Sequence, residues 1–219
     1  MPDGHRYPDD QREAVYRVIA ERRDVRQGFR PDPVPADVLG RVLTAAHQAP
    51  SVGLSQPWDF IVVTDLVCYE PALAAGLGAL RRAAPVVADG PTVASGITGY
   101  PVICKAGDSL AARLARTANI SVSAAAVRLA FSAAGPGALW LVGSGSAALF
   151  EIMAREVEPA LVIGVPVGLV GAAEAKHALR RSGLPSLSNV SEKGGPAVAV
   201  AAFDALLRMA QDPQEETHA

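Results

Sequence analysis

Three short glycine-bearing stretches carry the residue types best suited to hold an anion: Gly143-Ser144-Gly145-Ser146, the run GVPVGLVGAAEAK from Gly164 to Lys176, and Lys193-Gly194-Gly195. In each, glycine lets the backbone turn sharply or approach a ligand closely. Helix-forming residues follow, so unpaired main-chain N–H groups and the positive end of a helix dipole would point the same way. Tight strand-to-helix turns need the same glycines, so one such loop alone is a weak sign of a ligand; three opening on one sheet edge point to a polyanion. Neither the dinucleotide fingerprint nor a Walker A loop is present, because GSGSAA lacks the third spaced glycine and no Gly-Lys-Ser/Thr occurs. For proton transfer the chain offers four histidines. His47 falls at the end of a predicted helix, His177 reads as a solvated helix residue, and His5 and His218 are terminal.

The elements that must position these loops can be read from periodicity. Asp10–Asp24 (DQREAVYRVIAERRD) sets Ala14, Val15, Val18 and Ile19 on one face, and residues 36–47 keep the same helical spacing through Val38, Leu39, Val42, Leu43 and Ala46. Prolines and a glycine in 27–35 make the intervening stretch a loop. Asp59–Thr64 (DFIVVT) reads as a strand. Helices and strands then alternate: helix 71–82, strands 85–88 and 101–104, a mostly helical 109–134 with a break near Asn119, strand 138–142, helix 146–156, strand 159–163, an edge strand at 186–190 and a last helix from about 195 to 210. The pattern predicts an α/β fold in three layers, a mainly parallel sheet with helices on both faces and two N-terminal helices packed alongside. The expected organisation is a helical segment, 1–65, an α/β core, 66–210, and a polar tail, 211–219, within one compact domain overall.

Composition narrows the partners. Half of the 219 residues are hydrophobic but only 5% are aromatic, which suits helices lying closely on a sheet. A net charge of −2 gives no basic surface for nucleic acid or an anionic membrane. Cys68 and Cys104 lie in apolar contexts without metal-ligand spacing, the pattern of reduced thiols in a cytoplasmic protein. The first ten residues are polar and no apolar run approaches the length of a membrane span, so neither a signal peptide nor a membrane anchor is expected.

The motifs themselves resemble a known family. GVPVGLVGAAEAK is near the GFPVGFVGAAESK of the precorrin-8X methylmutases (cobalt-precorrin-8 methylmutases) of corrin biosynthesis, and KGGPAVAVAAFDAL, SAAAVRLA, GSGSAALF and APVVADGPTVASGIT are similar to further segments of that family. The resemblance spans about residues 66–208. Ahead of it, YRVIAERRDVR and AAHQAPSVGLSQPWDFIVVTD, within about 9–65, resemble the opening of the flavin-consuming 5,6-dimethylbenzimidazole synthases of the nitroreductase fold. The chain thus reads as a splice near Asp65 of two sequences from cobalamin chemistry.

The methylmutase resemblance implies an isomerase that moves a methyl group between ring carbons of a tetrapyrrole rich in carboxylates, with no redox cofactor and no metal, in a homodimer. It implies a proton-handling histidine, for which His47 is the candidate, at the end of a second helix as in the family. Implied ligand-binding positions are Asp89, Thr92, Ser123, Ser144, Gly145, Ser146, Gly164, Pro166, Val167, Gly168, Gly171, Lys193, Gly194 and Gly195. Three departures stand out. Ser121-Val122-Ser123 replaces Thr-Arg-Ser and loses an arginine that Val cannot replace as a carboxylate partner; Ser144-Gly145-Ser146 replaces Asn-Ala-Pro; and Pro196 removes a main-chain donor after Gly194-Gly195. These departures also suit a corrinoid-binding protein without turnover. The flavin resemblance implies instead a phosphate site at Arg22, Arg23 and Arg26, an acidic role for Asp24 and a flavin contact at Pro50-Ser51.

Overall fold

The computed structural model describes residues 8–21, 34–48, 65–155 and 157–211, in two units, Met1–Phe60 and Ile61–Ala219. In the first unit, α1 (Asp9–Glu21) and α2 (Ala36–His47) form where the apolar spacing predicts helices. Asp9 and Asp10 in the first turn of α1, and Asp37 in that of α2, complement the positive helix ends. The predicted strand at 59–64, the flavin-type residues Arg22, Arg23, Asp24, Arg26, Pro50 and Ser51, and His5 and His218 lie outside the described residues. Among the described residues no helix is long and apolar enough to cross a membrane.

The second unit is built on one six-stranded sheet. Its strands are β1 (Leu66–Cys68), β2 (Val86–Ala88), β3 (Val102–Cys104), β4 (Leu139–Val142), β5 (Leu161–Gly164) and β6 (Ser186–Asn189), in the order β1-β6-β5-β4-β2-β3. All pair in parallel except β1, which runs antiparallel to β6. Successive side chains leave a strand on opposite faces, and both faces are covered. Leu139, Leu141, Leu161 and Ile163 enter one core with α3 (Glu70–Arg81), α4 (Pro91–Gly96) and α9 (Pro196–Gln211). Trp140, Val142 and Val162 enter the other with α6 (Val122–Ala134), α7 (Ser146–Ala154) and α8 (Ala172–Arg181). The low aromatic content is spent on close approach: a Cβ on Gly76 of α3 would lie 2.7 Å from Leu161 Cδ2.

The predicted break at Asn119 is sharp. α5 (Ser109–Ala118) ends there because Asn119 adopts a left-handed conformation (φ 49°), and Ser121 starts α6 by accepting from the Ala124 N–H at 3.1 Å. Two short elements, β1 and α4, fall outside the expected order. One expectation is corrected by this: β6 is not an edge strand, because β1 pairs along its outer side.

Candidate functional site

The loops after β2, β4, β5 and β6 all leave the carboxyl edge of the sheet, where open α/β folds place their ligands. After β2 the chain turns to α4 on one face, and after the neighbouring β4 it turns to α7 on the other. This divergence would open a crevice between the two loops.

The crevice is bridged by Asp89. Its side chain, 1% exposed, accepts from the N–H groups of Gly143 (3.3 Å), Ser144 (2.8 Å) and Gly145 (3.2 Å) and from the Ser144 hydroxyl (3.2 Å). Burial pushes the pKa of this carboxyl up and the four donors oppose it, leaving it above the ordinary aspartate value. The Gly143–Gly145 loop is an anion cradle, but the anion it holds is the protein's own carboxylate; and Asp89 is a buried brace of the loop. Ser144 is exposed at the rim with its hydroxyl turned to Asp89, and Ser146 is half-buried beside it. A Cβ on Gly90 would lie 2.6 Å from Ser144 Oγ, one on Gly145 3.3 Å from Ser123 Oγ, and one on Gly171 3.3 Å from Ser146 Oγ. Ser123, Ser144 and Ser146 are therefore gathered along one edge, and Thr92 is exposed on α4, just past Asp89.

The loop after β5 carries the signature stretch. Gly164 is the last residue of β5, and a Cβ there would meet Leu179 Cδ2 at 2.4 Å and Leu149 Cδ2 at 2.9 Å, so this glycine serves core packing. Pro166 is buried. Beyond it Val167, Leu169 and Val170 are 51%, 93% and 90% exposed, presented on a backbone set by Gly168 and by Gly171, which caps α8 in a left-handed conformation (φ 76°). The loop after β6 lies directly against it. Gly195 N–H donates to the Val165 carbonyl at 2.7 Å, Gly168 N–H donates to that of Glu192 at 3.3 Å, and a Cβ on Gly194 would lie 2.2 Å from the Val165 oxygen. Gly143 closes the group, since a Cβ there would lie 2.8 Å from Pro196 Cα. Several main-chain donors expected to face a ligand, at 143, 144, 145, 168 and 195, thus bind other loops instead. The first turns of α7, α8 and α9 remain oriented towards this edge, and Lys193 is exposed beside them.

Underneath, polar side chains hold the β6 loop. Lys176 is completely buried, donating to Asn189 Oδ1 at 3.0 Å and to the Lys193 carbonyl at 2.7 Å. Asn189 Nδ2 donates to the same carbonyl at 2.9 Å, and Asp65 accepts from the N–H groups of Val190 (3.0 Å) and Ser191 (2.7 Å). Burial pulls the Lys176 ammonium below its ordinary value, and the charge of Asp65 opposes that. Sequence reasoning overlooked these three residues. One signal was available: Lys176 stands in the stripe Ala172, Ala175, Leu179 that α8 turns to the core, a place where an unpaired lysine is too costly.

His47 belongs to the first unit, where it ends α2 and is exposed; the other candidates belong to the second. His177 is exposed on α8 as expected.

The family-wide model described as precorrin-8X methylmutase matches residues 56–209. The chain is 31% identical over 151 residues to the cobalt-precorrin-8 methylmutase of Methanocaldococcus jannaschii, covering 67% of this chain and 71% of that protein. It is 32% identical over 185 residues to the precorrin-8X methylmutase of Pseudomonas aeruginosa, covering 79% and 85%. The solved structure of a precorrin-8X methylmutase from Thermus thermophilus superposes with a TM-score of 0.58 at 31% identity, over 66% of this chain and 76% of that one. The family match begins at 56, inside the segment that resembles the flavin-consuming synthases. The Pseudomonas alignment reaches further: 79% of 219 residues is about 173, so it begins no later than about residue 47. Methylmutase similarity therefore crosses the expected splice at Asp65.

Proposed function

Because the chain belongs to the precorrin-8X methylmutase family, we propose that it is an isomerase of corrin biosynthesis, moving a methyl group between ring carbons of precorrin-8X to give hydrogenobyrinic acid, or acting likewise on the cobalt-containing counterpart. The observation that carries this reading is the convergence of four loops on one sheet edge, where the stretch bearing exposed Val167, Leu169 and Val170 meets Ser146 at Gly171. A corrinoid has an apolar ring and a rim of carboxylates. The ring suits the apolar side chains, while the carboxylates suit the Ser146 hydroxyl, the first turns of α7, α8 and α9, and Lys193.

Substrate and product are isomers, so the reaction needs no external electrons, and a proton given at one ring atom is returned from another. Holding the ring in one conformation and supplying one proton-handling group is enough to accelerate such a rearrangement. We assign that group to His47, since histidine exchanges a proton near neutral pH. Cytoplasmic location, assembly as a homodimer and a helical segment 1–65 joined to a core 66–210 belong to the same reading. A corrinoid binder without turnover is the second reading, favoured by Val122 at the position where the family carries arginine.

Titration of the purified protein with hydrogenobyrinic acid, followed by assay of precorrin-8X, decides among these. A shifted visible spectrum with turnover is expected. Binding without turnover selects the second reading, and a yellow protein without corrinoid affinity refutes both in favour of flavin chemistry.

A further inference from the structure

We propose that Lys176 is a positioning residue for the ligand site: through Asn189 and the Lys193 carbonyl, its buried ammonium fixes the 190–195 loop against the 165–168 loop and so sets the width of the edge that receives the tetrapyrrole. This rests on the tetrapyrrole reading above.

A surface lysine would be the simpler expectation for a carboxylate-rich ligand, but Lys176 has no exposed surface. Its charge is used inward. Its two acceptors belong to the start and the end of one loop, Asn189 at the close of β6 and Lys193 just ahead of Gly194. Asn189 repeats the connection with its amide, which donates to Lys193 and to the Ser191 carbonyl and hydroxyl. Arg180, one turn further along α8, donates to the Asn189 carbonyl at 2.6 Å and to Ser188 Oγ at 3.1 Å. Asp65 holds the loop from the β1 side, and together with Glu192 it supplies negative charge towards Lys176.

The far side of the same loop has no slack. Gly194 and Gly195 touch the Val165 carbonyl so closely that no side chain fits at 194, and Glu192 receives the Gly168 N–H. A displacement of Lys193 is therefore transmitted to Val165–Gly168, the backbone that presents Val167. An apolar side chain at 176 would leave Asn189 Oδ1 unpaired in a buried site, which relaxes the loop rather than the sheet.

The test compares Lys176→Met and Asn189→Ala with the parent protein. Hydrogen exchange is followed in peptides covering 165–168 and 190–195, with β4 as the reference for intact folding. In both variants the two loops should exchange about ten-fold faster or more while β4 keeps its protection. Hydrogenobyrinic acid should bind about ten-fold more weakly, or about 1.4 kcal/mol, and KM should rise more steeply than kcat falls. If Lys176→Met does not fold, Asn189→Ala carries the test, since it removes the shared partner and leaves the ammonium its bond to Lys193. Loops protected as in the parent, or unchanged affinity in a folded variant, would overturn the proposal. Failure of the parent protein to bind the corrinoid refutes the tetrapyrrole reading instead, and loop exchange in the variants then decides whether Lys176 sets the loop spacing.

Discussion

The Asp89 carboxylate accepts the Ser144 main-chain N–H at 2.8 Å, joining the end of β2 to the loop after β4. The two oxygens together receive four partners, three of them main-chain N–H groups that can only donate. In Asp89→Asn an NH2 group must face main-chain N–H groups. The expected loss is about 1–3 kcal/mol, the penalty of a buried donor left unpaired, read as a lower urea midpoint with unchanged slope. A neutral outcome would mean that the loop holds its shape without Asp89.

Gly194 has φ +145° and a Cβ position 2.2 Å from the Val165 oxygen, so Gly194→Ala forces two backbones apart. Overpacking of this kind costs about 1–3 kcal/mol. Gly107→Ala, with open space around it, should change stability by less than about 0.5 kcal/mol. Thermal unfolding of the pair checks the contrast, and equal effects would refute it.

Glu151 links α6 to α7, accepting from Arg128 at 2.6 and 3.0 Å and from Arg155. Burial would raise this carboxyl, but the hydrogen bonds and charges of the two arginines outweigh burial and hold it below its ordinary value. The folded state then binds fewer protons than the unfolded one. Its contribution to stability is present above the ordinary glutamate value and is lost as pH falls through the folded-state value. Glu151→Gln should therefore lose stability at neutral pH and converge on the parent protein in acid. Asp89, shifted upward, acts with the opposite sign in the same range, so the difference between variant and parent is the quantity to follow by urea midpoint. A difference independent of pH would exclude the linkage.

His47→Ala should abolish turnover of precorrin-8X while hydrogenobyrinic acid still binds, as seen in the visible spectrum. Unchanged turnover removes His47 from the mechanism.

Val122 starts α6 and is 44% exposed, next to Ser123. Val122→Arg restores the carboxylate partner that the family pattern carries. Placing a cation in the first turn costs about 0.3–1 kcal/mol of helix stability, yet corrinoid affinity should rise by about ten-fold if a ligand carboxylate reaches it. A loss of affinity would place the ligand elsewhere.

Much of this protein could be read from order and composition. Apolar runs at 138–142 and 159–163, bounded by glycine and proline, are strands because both faces of a parallel sheet are buried, and GVPVGLVGAAEAK marks the strand-loop-helix unit and the family. These signals are local. What the folded chain alone decides is which donors remain for a ligand. Asp89 lies 54 residues from Gly143, yet it occupies the first predicted anion cradle. Lys176 reads as one more helix lysine until packing closes over it. Gly164 and Gly194 look alike in the sequence, but one faces Leu179 in the core and the other a carbonyl of the neighbouring loop. Hydrogen bonds and exclusion of side chains act over a few ångströms, and which groups come that close is set by sheet order, which no local pattern encodes.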